Sequence, residues 1–274
     1  MTIQLGKIGY LNVLPIYHPI EKNLIENDFN IVSGPPSALN KLMDAGKLDL
    51  SANSSIEYAR HFEKYYLIPH IAIGSCGPVQ SVLLLSRYPK EELEGKTILV
   101  SSQTHTSAAL LQILLSEFWK IKVNFVSGDA TKELEEGELP DAILAIGDEA
   151  LNLRYHPEYQ SRVDLGEEWR NMTGLPFIFG VWIVRRESYH ASPEKIRIAC
   201  EKLIEGKDWG NEHIHDMCVL AADGSCLNEE EMCSYFDGLV YDLGSKEIQG
   251  LELFYQHLKK NDLISTIPEL VFIP

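Results

Sequence analysis

Short apolar runs alternate with helical stretches from the start of the chain. Residues 3–8 read as a strand, 16–25 as a helix, 29–33 as a strand, 36–45 as a helix and 48–51 as a strand. This β-α-β-α-β order commits the chain to a parallel sheet, because parallel neighbours can be joined only by a crossover, normally a helix. Gly9-Tyr10-Leu11-Asn12-Val13-Leu14-Pro15 makes the first strand-to-helix turn. Strand tips facing helix starts are where α/β proteins place their ligands.

A second α/β pattern follows. After Cys76-Gly77-Pro78, residues 79–86 read as an apolar strand and 87–95 as a charged connector; 96–100, 123–126 and 142–146 then read as strands and 107–118 as a helix. Residues 177–185 form the next strong strand pattern, and 193–207, 228–236 and 246–259 are helical. With 274 residues there is material for two cores. The expected architecture is α/β with a discontinuous first lobe (1–86 plus 185–274), an inserted second lobe (87–184) and a ligand cleft between them.

Charge narrows the partners. Forty acidic against 24 basic residues leave a net charge of −16, which repels polyanions, so neither nucleic acid nor an anionic membrane surface is an expected partner. The longest apolar stretch, 175–184, is broken by Pro176 and Gly180 and falls short of the roughly 18–20 residues of a spanning helix. Five cysteines make no C-x-x-C pair, and their odd number does not close into a disulfide framework; a reducing compartment is the simpler reading. The first ten residues carry no secretory leader pattern, so if this is the full chain a cytoplasmic location is expected.

Several segments could carry chemistry. Asn12 places an amide at a strand-to-helix turn, where it is either a ligand group or a turn residue. Ser54 and Ser55 open a helix, as caps or as ligand donors beside free N–H groups. Gln80 and Ser81, read as strand residues, would face opposite sides. The hydroxyl-rich run 101–107 before a helix is the best anion cradle in the chain, and it contains neither Lys nor Arg. Asp148 lies just past a buried strand and could hold a hydroxyl or cap a helix. Cys76 has no identifiable partners for a nucleophile. His213, His215, Asp216 and Cys218 lack the spacing of a closed zinc site, and neither a phosphate loop nor a dinucleotide fingerprint occurs.

In combination, Gly9-Tyr10-Leu11-Asn12 with Pro15, Ser54-Ser55 with Glu57-Tyr58-Ala59-Arg60, Gly77-Pro78-Val79-Gln80-Ser81-Val82-Leu83-Leu84, and Gly147-Asp148-Glu149-Ala150-Leu151 resemble the chorismate dehydratase family of the futalosine route to menaquinone. Trp169 with Thr173-Gly174-Leu175-Pro176-Phe177 adds to the resemblance, which spans essentially the whole chain. The resemblance implies a periplasmic-binding-protein type II fold and a hydro-lyase that converts chorismate to 3-(1-carboxyvinyloxy)benzoate without a cofactor. On this resemblance Asn12 and Ser81 are the expected catalytic residues, and Ser54, Ser55, Gln80, Thr106, Ser107 and Asp148 the expected substrate contacts. Read from the residues alone, Trp169 and residues 173–177 form either a cleft wall or, as aromatics more often do, part of the core. No His or Lys base stands out in the motif segments, so the enolpyruvyl carboxylate of the substrate is the expected proton acceptor. Two other readings fit the same lobes: a 1,4-dihydroxy-6-naphthoate synthase-like enzyme, and a non-catalytic binding protein for small carboxylates.

Overall fold

Strand β1 (Ile3–Ile8) runs into a single 3-10 turn (Leu11–Val13) and helix α1 (Leu14–Glu21), followed by β2 (Phe29–Gly34), α2 (Pro36–Asp44), β3 (Leu50–Ser54), α3 (Ser55–His61) and β4 (Tyr65–Ser75). These boundaries come from a computed structural model of the protein, which describes residues 2–101 and 104–274. Pairing of β1 with both β2 and β3 is parallel, as the crossover argument requires. Leu5, Leu50 and Ala52 are buried in the strands, with Ile16, Tyr17, Leu39 and Met43 packed in from the two helices. The indole Nε1 of Trp182 donates to the Tyr17 hydroxyl at 3.2 Å, and that hydroxyl donates to the Gly6 carbonyl at 2.8 Å, so the polar tips in this core are satisfied.

The next stretch contains β5 (Val82–Ser86), β6 (Thr97–Val100), α4 (His105–Ile113) with a π-helical extension over Leu114–Trp119, β7 (Asn124–Ser127), α5 (Ala130–Glu135), β8 (Ala142–Ile146), α6 (Gly147–Leu153), β9 (Ser161–Asp164) and α7 (Leu165–Thr173). The chain ends with β10 (Phe177–Arg185), α8 (Arg186–Ala191), α9 (Pro193–Glu212), α10 (Ile214–Ala222), α11 (Glu229–Asp237), β11 (Leu239–Val240) and α12 (Ser245–Lys260).

Two mixed sheets result, in the orders β11-β4-β10-β3-β1-β2 and β7-β6-β8-β5-β9. Strand β10 lies antiparallel between β3 and β4, and Val181, Trp182, Ile183 and Val184 are all buried, so both faces of the strand are covered. The sheet memberships differ from the lobe boundaries expected above. Strand β5 pairs with β8 and β9 of the second sheet, and β10 belongs to the first, so the chain changes sheets within 76–81 and 174–176. An apolar strand fits either sheet, and only its pairing partners decide.

Two further readings are corrected by the packing. Gln80 and Ser81 precede β5 and do not alternate within it, since Gln80 sits at φ +60, outside strand geometry. Cys218 of α10 and Cys233 of α11 are joined in a disulfide, leaving Cys76, Cys200 and Cys226 free. An odd count excludes a complete framework but not one bridge. Among the described residues no helix is long and apolar enough to cross a membrane.

Candidate functional site

The ends of β1, β3 and β8, the turn before β5 and the start of α4 converge on one cleft between the sheets, with about 90 Å³ of internal space. Ile8, Ile73, Val79, Val82, Phe179 and Val181 supply apolar walls, while Asn12, Asn53, Ser54, Ser81, Thr104 and Ser107 supply polar groups. No Lys or Arg among the described residues lines it. The imidazole of His105 lines it too, and an anion here is met by that ring, by hydroxyls and amides, and by the N-terminus of α4, whose first N–H groups have no acceptor within the helix.

Three polar atoms of this lining stand out. Oδ1 of Asn12, Oγ of Ser54 and Oγ1 of Thr104 are buried and have no hydrogen-bond partner among the described residues. A buried polar group left unpaired costs about 1–3 kcal/mol, so three of them around one hollow mark a surface shaped for a polar ligand. Each has a different local origin. Asn12 sits in the 3-10 turn after β1, Ser54 ends β3 where α3 begins, and Thr104 immediately precedes α4.

The other expected site residues divide into two groups. Ser81 lines the cleft and is buried; its Oγ accepts from the Tyr235 hydroxyl at 3.2 Å and lies 3.4 Å from the Val79 carbonyl. Thr106 and Ser107 line it as well, but Thr106 Oγ1 also accepts the Ile56 N–H at 3.1 Å and lies 3.5 Å from Ser55 Oγ, linking α4 to α3. Ser102 and Gln103 of the expected cradle lie outside the described residues.

Ser55, Gln80 and Asp148 are not in the cleft wall. Ser55 is fully buried beneath it, with its carbonyl accepting the Tyr255 hydroxyl at 2.9 Å. The side chain of Gln80 donates to the Ser234 carbonyl at 3.0 Å, turned away by its left-handed backbone. Asp148 accepts the Leu11 N–H at 3.2 Å, and burial raises its carboxyl above the ordinary 3.8 against that bond. Of the two readings of Trp169, core and cleft wall, the structure takes the core. Trp169 is buried against Phe177 and Phe254 with its Nε1 on the Pro176 carbonyl, and the wall is built instead by Phe179 and Val181 of β10. Cys76 is exposed and outside the lining.

Other lining residues had weaker signals. Tyr10 lines the cleft beside Gly147, and burial, then Asp148 and Glu149, raise its phenol. Gly147 adopts φ +56, and a Cβ there would stand 2.9 Å from the Tyr10 ring. Asn53 lines the cleft and pairs with the side chain of Asn40. Asp164 shapes the site without entering it. Its carboxylate accepts the N–H groups of Val79 at 3.1 Å and Gln80 at 2.7 Å while also capping α7 through Gly166 and Glu167, and so fixes the turn that delivers Ser81.

Comparison with known proteins gives a consistent answer. A family model for menaquinone biosynthesis matches residues 3–260. The chain is 30% identical over 204 residues to a chorismate dehydratase of Thermus thermophilus, covering 67% of this chain and 70% of that one. It is 29% identical over 178 residues to a chorismate dehydratase of Campylobacter jejuni, covering 64% of each. A Candida albicans protein described as having the generic periplasmic binding protein fold superposes with a TM-score of 0.72 at 11% identity, covering 100% of this chain and 98% of that one. That likeness speaks to the fold, which is of the periplasmic-binding-protein kind.

Proposed function

Because the chain belongs to the menaquinone biosynthesis family, in the chorismate dehydratase branch, we propose that it removes water from chorismate to give 3-(1-carboxyvinyloxy)benzoate. The reading rests above all on the convergence of Asn12, Ser54 and Thr104, with unpaired buried polar atoms, in a cleft where Ile8, Ile73, Val79, Val82, Phe179 and Val181 supply apolar walls. Apolar walls suit the ring, and the polar lining suits the ring carboxylate, the enolpyruvyl carboxylate and the hydroxyl of chorismate.

The chemistry asks little of the protein beyond placement. The ring C–H at the ether carbon is vinylogous to the ring carboxylate, so loss of that proton spreads its electron pair into the carboxylate. The pair then returns to expel the neighbouring hydroxyl, the ring becomes aromatic, and the hydroxide with the abstracted proton makes the water released. This step is redox-neutral and balances without a cofactor. Donors aimed where charge collects on the carboxylate lower the barrier, and lobe closure excludes bulk water.

In this reading Ser81, Ser107 and the N-terminus of α4 hold the ring carboxylate, Thr104 and Ser54 hold the other polar groups, and Asn12 orients the reacting carbon. The enolpyruvyl carboxylate of the substrate takes the proton. Thr106 contributes from a position already tied to Ile56. The lobes hinge at 76–81 and 174–176, where the chain passes between sheets.

The test is to incubate the purified protein with chorismate and follow ultraviolet absorbance and mass. A product lighter by one water is expected. Chorismate bound but unchanged would replace this reading with a carboxylate-binding protein, and consumption of cyclic dehypoxanthinyl futalosine instead would replace it with the naphthoate synthase-like reaction.

A further inference from the structure

Ser81 reaches the cleft with a partner behind it that belongs to a distant part of the chain. Tyr235, on α11, is fully buried, and its hydroxyl donates to Ser81 Oγ at 3.2 Å across 154 residues of sequence. We propose that Tyr235 is a positioning residue for the elimination, holding the Ser81 hydroxyl toward the substrate and strengthening it as a donor. The inference rests on the role given to Ser81 above.

The argument follows from counting donors and acceptors. A serine hydroxyl has one proton and two lone pairs, and a phenol in a dry site needs an acceptor for its own proton. When Tyr235 donates to one lone pair, the serine proton is left for another acceptor, and the bond received polarises the O–H it gives. The Val79 carbonyl at 3.4 Å is a long contact, which a carboxylate oxygen in the cleft would replace. Burial keeps the Tyr235 phenol protonated far beyond neutral pH, with the Ser81 hydrogen bond working the other way, so it remains a donor throughout the working range.

The surroundings hold this pair in place. Ser234, next to Tyr235, accepts the Gln80 side chain at 3.0 Å, so the same turn of α11 grips the residues on both sides of the Ser81 backbone connection. A Cβ on Gly238 would stand 3.1 Å from the Pro78 carbonyl, which brings the end of α11 against the crossing segment itself. The Cys218–Cys233 disulfide anchors the same helix to α10 two residues before Tyr235. A side chain placed this way acts on rate through Ser81 and touches no substrate.

A double-mutant cycle on kcat tests this. Tyr235→Phe removes one oxygen and keeps the ring; it is expected to lower kcat about tenfold with little change in KM, because the donor matters most where charge develops. Ser81→Ala is expected to lower kcat further, and the double variant to match Ser81→Ala alone. Tyr235→Phe at the parental kcat, or losses that multiply in the double variant, would overturn the inference while leaving Ser81 in its role. Ser81→Ala at the parental kcat would instead remove Ser81 from the mechanism and the inference with it. If Tyr235→Phe does not fold, 3-fluorotyrosine at position 235 keeps the shape and makes a stronger donor. A raised kcat is then expected, and an unchanged kcat would overturn the inference.

Discussion

Oδ1 of Asp148 accepts the backbone N–H of Leu11 at 3.2 Å, joining the turn after β1 to the start of α6 across 137 residues of sequence. The carboxylate lies behind the cleft wall, and it locks the Asn12 turn against the second sheet. Burial raises its pKa above 3.8. The folded protein therefore holds this proton more tightly than the unfolded chain, so the contribution of the group is most favourable below about pH 3.8 and declines as pH rises through the raised value. Asp148→Asn keeps an acceptor for Leu11 and removes the charge. Its melting temperature relative to the parent is expected to climb between about pH 4 and pH 7, and a pH-independent difference would count against the burial argument.

Glu117 behaves with the opposite sign. Burial pushes its carboxyl up, but hydrogen bonds from Lys260, His257 and Asn261 outweigh that and bring it to about 2. The His257 ring stands 2.9 Å and the Asn261 amide 2.5 Å from Oε1, so this cluster ties the extension of α4 to the end of α12. Stability from this group is present above the ordinary 4.5 and lost as pH falls toward about 2. Glu117→Gln is expected to cost about 2 kcal/mol at neutral pH after allowing for solvent screening, with the deficit vanishing in acid denaturation near pH 2.

Asp164 gathers four backbone N–H groups, from Val79, Gln80, Gly166 and Glu167. Asp164→Ala orphans all four and releases Gln80 from its left-handed conformation, so denaturant unfolding should show a loss of about 2–4 kcal/mol. Activity should fall further than the unfolded fraction explains, because Ser81 follows directly in the chain.

Gly147→Ala tests the packing of Tyr10. At φ +56 an alanine is strained by about 1–2 kcal/mol, and its Cβ would meet Cδ1 of Tyr10 at 2.9 Å. The ring is expected to shift into the cleft and raise KM for chorismate, while an unchanged KM would show that Tyr10 does not border the bound ligand.

Much of this site was legible in the chain because its parts sit at strand ends. The turn bearing Asn12, the Ser54 helix start and the hydroxyls before α4 all fall where a βα junction must expose donors. Partnership was not legible. Ser55 and Ser54 are neighbours with the same chemistry, yet one is fully buried under the cleft and the other lines it. Tyr235 carries no local sign of its bond to Ser81, which only the packing of α11 on the crossing segment creates. Helix α10 was hidden by His213, His215 and Asp216, which make its start look polar, although Met217, Cys218 and Ala221 form a buried face. Strand β5 lies beyond the crossing and not in the first lobe, a difference its sequence does not show because a fully buried apolar run carries no record of its partners.

The central claim, that the cleft around Asn12 carries out the elimination, is tested most directly by steady-state turnover and equilibrium binding of chorismate by Asn12→Ala. The account predicts binding within a few-fold of the parent and kcat lower by about a hundredfold, since the lost amide orients the reacting carbon and does not hold the anion. Parental turnover by the folded variant would contradict it.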